Sequence, residues 1–222
     1  LFGSVAMGGL ALGHAGPAQA FVPADALYGS GFGMVVTIDQ DDGSITGLEA
    51  QDALFHGLAF DSDGRLFSTA CVTGSTGPCL LPELLMELDP VTGEIVETIG
   101  PVTDVSGSPV YVTWLATQPG TDVLHGISSP LVSPYPSLWT IDRSTAVATL
   151  VASRVPADCE PSACSRDFSP LAFAPDGTLY VVGARIVFPP ETELWTLDPD
   201  TGALITTVAL DVWPEALAVR SD

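Results

Sequence analysis

The sequence has 222 residues, of which 46% are hydrophobic, and its 27 acidic residues against six basic ones give a net charge of −21. The hydrophobic share excludes a wholly disordered chain. The charge excludes nucleic-acid binding, because it repels phosphate backbones, and it disfavours docking on anionic lipid headgroups. Since the acidic residues are spread along the whole chain, we attribute them to solubility rather than to a site for a cationic partner.

Residues 1–20 are predicted to be a truncated signal peptide. Residues 1–12 are apolar or small, and Ala-Gln-Ala at 18–20 has the A-x-A form of a signal-peptidase site. The apolar run is shorter than the roughly 20 residues that span a membrane. An uncut N-terminal anchor is the alternative. We therefore expect a secreted, periplasmic or cell-surface protein whose mature chain has no membrane span.

Two sequence blocks recur in the same order. Gly-Leu-Ala-Phe-Asp-Ser-Asp-Gly-Arg-Leu-Phe at 57–67 returns as Pro-Leu-Ala-Phe-Ala-Pro-Asp-Gly-Thr-Leu-Tyr at 170–180. Leu-Leu-Met-Glu-Leu-Asp-Pro-Val-Thr-Gly-Glu-Ile-Val at 84–96 returns as Glu-Leu-Trp-Thr-Leu-Asp-Pro-Asp-Thr-Gly-Ala-Leu-Ile at 193–205. Self-similarity of this kind indicates a repeat architecture.

Each repeat is predicted to hold four antiparallel strands, a to d, joined by turns rich in Asp and Gly. In the unit at 57–100 the strands are 58–60, 65–70, 84–88 and 94–99. In a degenerate unit at 110–152 they are 111–116, 122–127, 137–141 and 146–152. In the unit at 170–210 they are 171–173, 178–182, 193–197 and 203–210.

The two ends of the sequence supply one further, divided unit. Residues 26–50 match strands b, c and d, and residues 215–220 match strand a. Either this strand completes a ring of four blades, or the sequence is a fragment of a larger propeller. The missing initiator Met and the ending inside a predicted turn favour the fragment. Because one sheet cannot bury both faces alone, neighbouring units must cover it. Residues 21–222 are therefore predicted to form one all-β domain, a β-propeller of four-stranded antiparallel blades.

The repeated patterns Leu-Ala-Phe-x-x-Asp-Gly-x-Leu-Tyr and Leu-x-x-Leu-Asp-Pro-x-Thr-Gly resemble exported propellers of the NHL, YVTN and quinoprotein-like group. The resemblance covers nearly all of residues 26–222 and implies blade architecture. It implies little about activity, because the group includes binding scaffolds, lyases, lactonases and quinone-dependent dehydrogenases. A quinoprotein blade usually carries a Trp after its Thr-Gly turn. Glu94 and Ala203 stand there instead, which argues against quinone binding.

Four cysteines lie as two close pairs in turn-rich segments. Cys71 with Cys79 and Cys159 with Cys164 can each close a short loop, which an oxidising compartment allows. Metal binding is the rival interpretation. It needs four convergent ligands, and no His lies near either pair. We predict two structural disulfides.

Asp-rich turns raise the hypothesis of a calcium site. Asp39 with Asp41, and Asp61 with Asp63, place carboxylates two residues apart beside a Gly, as the start of a calcium loop does. Neither continues to the Glu expected about twelve residues from the loop start. Hairpin turns favour the same residues for backbone reasons alone, and this is the interpretation that we prefer.

Candidate ligand-facing residues lie near predicted strand a, which lines the central channel of such propellers. His56 and Trp114 are candidates for the channel mouth, whereas His125 lies in a predicted strand b. Ser30 lies in a Gly-rich run without the Gly-x-Ser-x-Gly form of a nucleophile and is predicted to be in a connection. Trp139 and Trp195 recur in strand c, which predicts packing between sheets rather than a ligand box.

The sequence contains no catalytic constellation, so we predict an exported binding or interaction scaffold without a cofactor. Its partner is an unidentified protein or small molecule. Loops on a rigid scaffold often carry recognition, so the connections at 128–136 and 186–191 are candidate contact surfaces. The alternative is a lactonase-like hydrolase or a lyase with a channel-bound divalent metal, in which His56, Asp52 and Glu215 converge. A quinone-dependent dehydrogenase is the third candidate.

Overall fold

The structure is a computed structural model and describes residues 27–31, 34–39, 42, 44–48, 53–72, 83–128, 136–156, 164–185 and 191–211. These residues contain strands, turns and bends but no helix, so no helix in this part of the chain is long and apolar enough to cross a membrane. The strands are β1 Leu27–Gly31, β2 Met34–Ile38, β3 Ile45–Gly47, β4 Ala53–Phe60, β5 Leu66–Val72, β6 Leu84–Leu88, β7 Ile95–Pro101, β8 Thr103–Asp104, β9 Val112–Thr117, β10 Leu124–Ser128, β11 Leu138–Ile141, β12 Val147–Ala152, β13 Cys164–Phe173, β14 Leu179–Arg185, β15 Glu191–Leu197 and β16 Leu204–Leu210.

The strands form four antiparallel sheets that follow one another along the chain. Blade 1 comprises β1–β3, blade 2 comprises β4–β7, blade 3 comprises β9–β12, and blade 4 comprises β13–β16. The innermost strand β9 contacts both β4 and β13, and β1 contacts β4. The sheets are therefore arranged radially, and the predicted all-β propeller fold is confirmed. Residues 215–220, which are predicted to supply the inner strand of blade 1, lie outside the described residues.

Strand bounds agree with the prediction where the repeat is strongest and differ at the inner strands. Strand β6 has the predicted bounds, but β4 begins at Ala53 and β13 at Cys164, several residues before the repeated block. In β4, buried and half-buried residues alternate along all eight positions. Strand β8 was not predicted; it pairs in parallel with β12 and extends blade 3 at its outer edge. Two residues are too few to show a sequence pattern.

The turn between strands c and d is built in the same way in blades 2, 3 and 4. A leading Asp accepts hydrogen bonds from the backbone of the residues two and three positions later, at 2.7 to 3.0 Å, in Asp89, Asp142 and Asp198. The residue four positions after it has positive φ. This residue is Gly93 or Gly202 in two blades but Ala146, with a φ of 58°, in the degenerate one. The Asp-capped turn therefore forms even where the glycine is replaced.

The hydrophobic core lies between the blades. One cluster joins blades 1 and 2 around Phe55 and Met86, a second joins blades 2 and 3 around Phe67 and Leu115, and a third joins blades 3 and 4. Trp195 is buried in the third cluster, and Trp139 packs against the second. Both tryptophans therefore pack between sheets, as predicted. Blades 2 and 3 each supply one face to the blade before them and the other to the blade after them.

His125 is a buried histidine with an apolar neighbour. Its side chain in β10 is 1% exposed, and its ring meets the Phe173 ring edge to face at 5.1 Å. Neither ring nitrogen has a hydrogen-bond partner. Burial lowers the pKa of His125 to about 4, although the negative charge of Asp200 opposes this shift. The imidazole is therefore neutral at pH 7 and disfavours a proton.

This burial predicts acid sensitivity of the contact between blades 3 and 4. The unfolded chain binds a proton at His125 below about pH 6.5, whereas the folded chain binds it only near pH 4. Stability that is complete above pH 6.5 is therefore lost as the pH falls, by about 2 kcal/mol between pH 7 and pH 5. Urea unfolding at both pH values measures this loss. His125→Leu should reduce the loss by that amount; equal slopes for the wild type and His125→Leu would contradict the prediction.

Candidate functional site

A β-bulge in the innermost strand of blade 2 sets the position of His56. The pairing of β4 with β5 shifts register between Phe55 and Leu58, which leaves His56 and Gly57 outside the regular ladder. The freed carbonyls are bonded by serines: Ser30 donates to the carbonyl of His56, and Ser68 donates to that of Gly57 at 2.9 Å. The bulge is therefore held from blade 1 on one side and from β5 on the other.

Gly57 allows the bulge to lie directly against blade 3. A Cβ atom at this position would overlap the backbone nitrogen of Leu115 and lie 2.9 Å from the Trp114 backbone. Real Cβ atoms do not approach other backbone atoms so closely, so a residue without a side chain is required here. The absence of a Cβ brings β4 and β9 together immediately beside His56.

Glu83, just before β6, ties blade 2 to blade 3 and also holds His56. Its side chain is 1% exposed; one carboxylate oxygen contacts His56 Nδ1, and the other accepts the Val112 backbone N–H at 2.9 Å. The Val112 carbonyl accepts a hydrogen bond from Thr69 Oγ1 at 2.7 Å. Both polar groups of Val112 are thus satisfied by side chains of blade 2. This accounts for a buried carboxylate in an otherwise apolar contact.

Burial dominates the electrostatics of this region. It raises the pKa of Glu83 above its ordinary value, although the hydrogen bond and charge of His56 and the Val112 N–H oppose the rise. Tyr111 is also buried, and its pKa is raised by burial first and by the charge of Glu83 second. The phenol is therefore un-ionised at neutral pH, and Glu83 lies between two groups that favour its charge, His56 and the Val112 N–H.

His56 presents one nitrogen to solvent. Its side chain is 21% exposed, Nδ1 is in contact with Glu83, and no hydrogen bond joins Nε2 to a described residue. The Tyr111 ring lies beside it, with ring centroids 5.9 Å apart. We call Ser30, His56, Glu83 and Tyr111 the inner cluster. A carboxylate that orients an imidazole with one free nitrogen can accept a hydrogen bond from a ligand or remove a proton from it.

The predicted site residues fall into two groups. His56 lies inside β4, on the side of the propeller where strand d connects to strand a and strand b to strand c, and its role at the channel mouth stays a prediction. Trp114 packs against the core between blades 3 and 4, whereas the His56 ring meets Tyr111. Ser30 lies inside β1 rather than in the predicted connection. Asp52 and Glu215, with which His56 was predicted to converge, lie outside the described residues, as do 129–135 and 186–190 of the two predicted contact loops.

The structure shows the surroundings of three of the calcium candidates, Asp61, Asp63 and Asp39. Asp61 is buried, and its carboxylate accepts hydrogen bonds from Arg65 Nε at 2.8 Å and from an Arg143 guanidinium nitrogen at 2.5 Å. Its other oxygen accepts the backbone N–H groups of Asp63 and Arg65. Asp63 and Asp39 are exposed, and Asp41 lies outside the described residues. Within the described ranges, no three His, Cys, Asp or Glu side chains converge as a metal site would require.

The Asp61 ion pairs lie at the opposite end of the propeller from His56. Both guanidinium groups stack near the Phe67 ring, at 5.3 Å for Arg65 and 5.8 Å for Arg143. They line a groove of about 900 Å³ that also contains Glu87 and Asp122. Arg65 pairs with Glu87, and Asp122 is bonded to Ser62 and attracted by both arginines, so the groove is a charged junction between blades 2 and 3.

The cysteine prediction is testable at one residue only. Cys71 is buried in β5 and is disulfide-bonded. Its predicted partner Cys79, and Cys159 of the second pair, lie outside the described residues. Cys164 begins β13. The two pairings stay predictions.

Glu83 and Tyr111 are the members of the inner cluster that sequence reasoning missed. Glu83 is 27 residues from His56 and precedes an apolar strand, where a charged residue is ordinarily solvent-exposed. Tyr111 begins a predicted inner strand and has the appearance of a core residue. The only available signal was that blades 2 and 3 are neighbours. The repeat pattern does predict that these two blades are neighbours.

The sequence matches no family model and no curated protein. Solved structures share its fold. A gluconolactonase from Xanthomonas campestris is 15% identical, with a TM-score of 0.52, over 84% of this chain and 59% of its own. An oligogalacturonate lyase in complex with manganese is 16% identical, with a TM-score of 0.49, over 83% and 50%. A nutrient-binding protein from Bacteroides ovatus is 13% identical, with a TM-score of 0.48, over 87% and 40%. The chain thus spans 40% to 59% of the length of these three structures, and the NHL, YVTN and quinoprotein-like resemblance stays a prediction.

Asp61 is predicted to stabilise the junction between blades 2 and 3. Asp61→Asn keeps an acceptor for the turn but removes the charge that holds two guanidinium groups, so we expect the free energy of unfolding to fall by about 1–3 kcal/mol. Asp176→Asn, in the corresponding turn of the last repeat, is exposed and should change it by less than about 0.5 kcal/mol. Urea denaturation measures both. An unchanged free energy of unfolding in Asp61→Asn would contradict the structural role of Asp61. Stabilisation by added calcium that is lost only in this variant would support the calcium site.

Proposed function

We propose that the chain is the propeller of an exported binding scaffold that receives its ligand at the inner cluster. One observation carries this proposal: the His56 imidazole is fixed by a buried carboxylate on an innermost strand, and its other nitrogen has no described protein partner. Binding sites typically place a few polar groups of fixed orientation on a rigid framework. The Ala-Gln-Ala motif at 18–20 and the resemblance to exported propellers support export.

The cluster is rigid because three blades hold it. Ser30 reaches it from blade 1, Glu83 from blade 2, and the Val112 backbone from blade 3. Loss of rotational freedom on ligand binding is therefore small, which favours affinity. The cluster also faces the end of the propeller where the longer connections are found, and loops on a rigid frame commonly add specificity.

NMR of the histidine rings tests the binding proposal directly. The described part of the chain has two histidines, and buried His125 serves as an internal control for exposed His56. We expect at least one of four probes, namely D-glucose, D-galacturonate, glycine and benzylammonium, to shift the ring signals of His56 but not those of His125. The His56→Ala variant assigns the signals. If no probe moves the His56 signals, or if both rings respond equally, the inner cluster is not a small-molecule site.

A hydrolase or lyase is the second candidate, and the His56–Glu83 pair is the observation that favours it. A carboxylate bonded to one imidazole nitrogen leaves the other as a general base for water or for a substrate carbon acid. The gluconolactonase of similar fold guides the choice of first substrate. Ser30 Oγ, the one hydroxyl of an aliphatic side chain in the cluster, donates to the His56 carbonyl rather than to its imidazole, so water is the nucleophile in this scheme.

Hydrolysis of glucono-δ-lactone, followed by acid release in a pH-stat, tests this candidate. If His56 is a general base, His56→Ala should lower kcat by about 10²–10⁴-fold, and Glu83→Gln should shift the pH profile because it changes the charge beside the base. Ser144→Ala, at the other end of blade 3, is the control and should leave kcat unchanged. A rate equal to that of buffer alone would exclude this substrate and leave the binding scaffold as the proposal.

A further inference from the structure

We infer that the inner cluster binds an organic ammonium ion through a hydrogen bond from the ligand to His56 Nε2. The inference rests on the proposed binding function and specifies the class of ligand. It depends on the direction of the hydrogen bonds in the cluster, on the charge buried there and on the aromatic ring beside it.

The hydrogen bonds fix which kind of group His56 offers. An ionised Glu83 only accepts hydrogen bonds, so the hydrogen of a neutral His56 imidazole lies on Nδ1, which contacts that carboxylate. Nε2 is then an acceptor, and it belongs to a side chain that is 21% exposed. A ligand that binds there must donate a hydrogen bond, which an ammonium group does and a carboxylate does not.

The charges around the cluster favour a cation. Glu83 places a carboxyl group inside the cluster, beside the innermost strand, and the chain as a whole carries a net charge of −21. Two of the described arginines, Arg65 and Arg143, are bonded to Asp61 at the opposite end. An anion would therefore meet repulsion from the whole molecule and find no compensating base in the described part of the cluster.

Tyr111 supplies the third element of the site. Its ring lies beside the His56 ring, with centroids 5.9 Å apart, and its phenol stays un-ionised at neutral pH. The face of an aromatic ring attracts a cation, and Tyr is second only to Trp in this respect. An ammonium ion that donates to Nε2 is then close to an aromatic ring that is itself 8% exposed, and to the carboxyl group on the other nitrogen of the imidazole.

Isothermal titration calorimetry at pH 8 and low ionic strength, with four matched probes, tests the inference. Benzylammonium should bind. Benzyltrimethylammonium has the same charge without an N–H donor, and benzyl alcohol is a donor without charge; each should bind at least about tenfold more weakly, since each loses one of the two interactions. Benzoate should show no binding. Equal affinity for benzylammonium and benzyl alcohol would overturn the ammonium inference and leave the binding proposal intact, because the ligand would still occupy the site.

Two variants locate the interaction. His56→Leu removes the acceptor, and Glu83→Gln removes the charge; each should weaken benzylammonium binding about tenfold or more. Asp176→Asn removes the same charge at the opposite end and should leave the affinity within about twofold. Circular dichroism reports whether Glu83→Gln still folds, and if it does not, His56→Leu alone decides. Unchanged affinity in a folded His56→Leu variant would overturn the inference. If neither these probes nor the sugars of the NMR panel shift the His56 signals, both proposals fail.

Discussion

The close approach of the innermost strands of blades 2 and 3 is the constraint on which the rest of the structure depends. A four-stranded sheet has two apolar faces, and neighbouring sheets can cover them only if their inner strands meet near the axis. Gly57 makes that approach possible, because any Cβ would overlap the backbone of β9. The core cluster around Phe67 and Leu115 forms behind this contact. The backbone N–H and carbonyl groups at this contact must then find hydrogen-bond partners within the protein.

The inner cluster follows from that requirement. A bulge at His56 and Gly57 frees two carbonyls, and the strand edge at Val112 presents an N–H and a carbonyl to blade 2. Ser30, Ser68, Thr69 and Glu83 satisfy these groups one by one. A neutral side chain could have bonded the Val112 N–H. Glu83 does this with one oxygen and orients His56 with the other. Packing between the blades does not require this second contact.

The fold could be predicted from the sequence because the blade repeat is local. A strand, an Asp-Gly turn and a second strand lie within about a dozen residues, so their pattern is visible in one block. The innermost strands were only half predicted, since β4 and β13 extend beyond the repeated motif. The cluster was predicted only at His56. Its partners Glu83 and Tyr111 are determined by contacts between sheets, and a repeat gives the order of the sheets but not which side chains face each other. The same limit applies to Asp61, whose two arginines lie 4 and 82 residues away.

The two ends of the propeller use their charged residues differently, and this difference favours the end at His56 as the site of function. At the end with the a–b and c–d turns, carboxylates are bonded to turn backbones or arginines; Asp61, Asp89, Asp142 and Asp198 all have such partners. These carboxylates therefore stabilise turns and the junction between blades. At the other end Glu83 accepts the Val112 N–H and contacts His56 Nδ1, and no hydrogen bond joins His56 Nε2 to a described residue. An oriented imidazole of a partly exposed side chain, beside an aromatic ring, has the arrangement that recognition of a ligand requires.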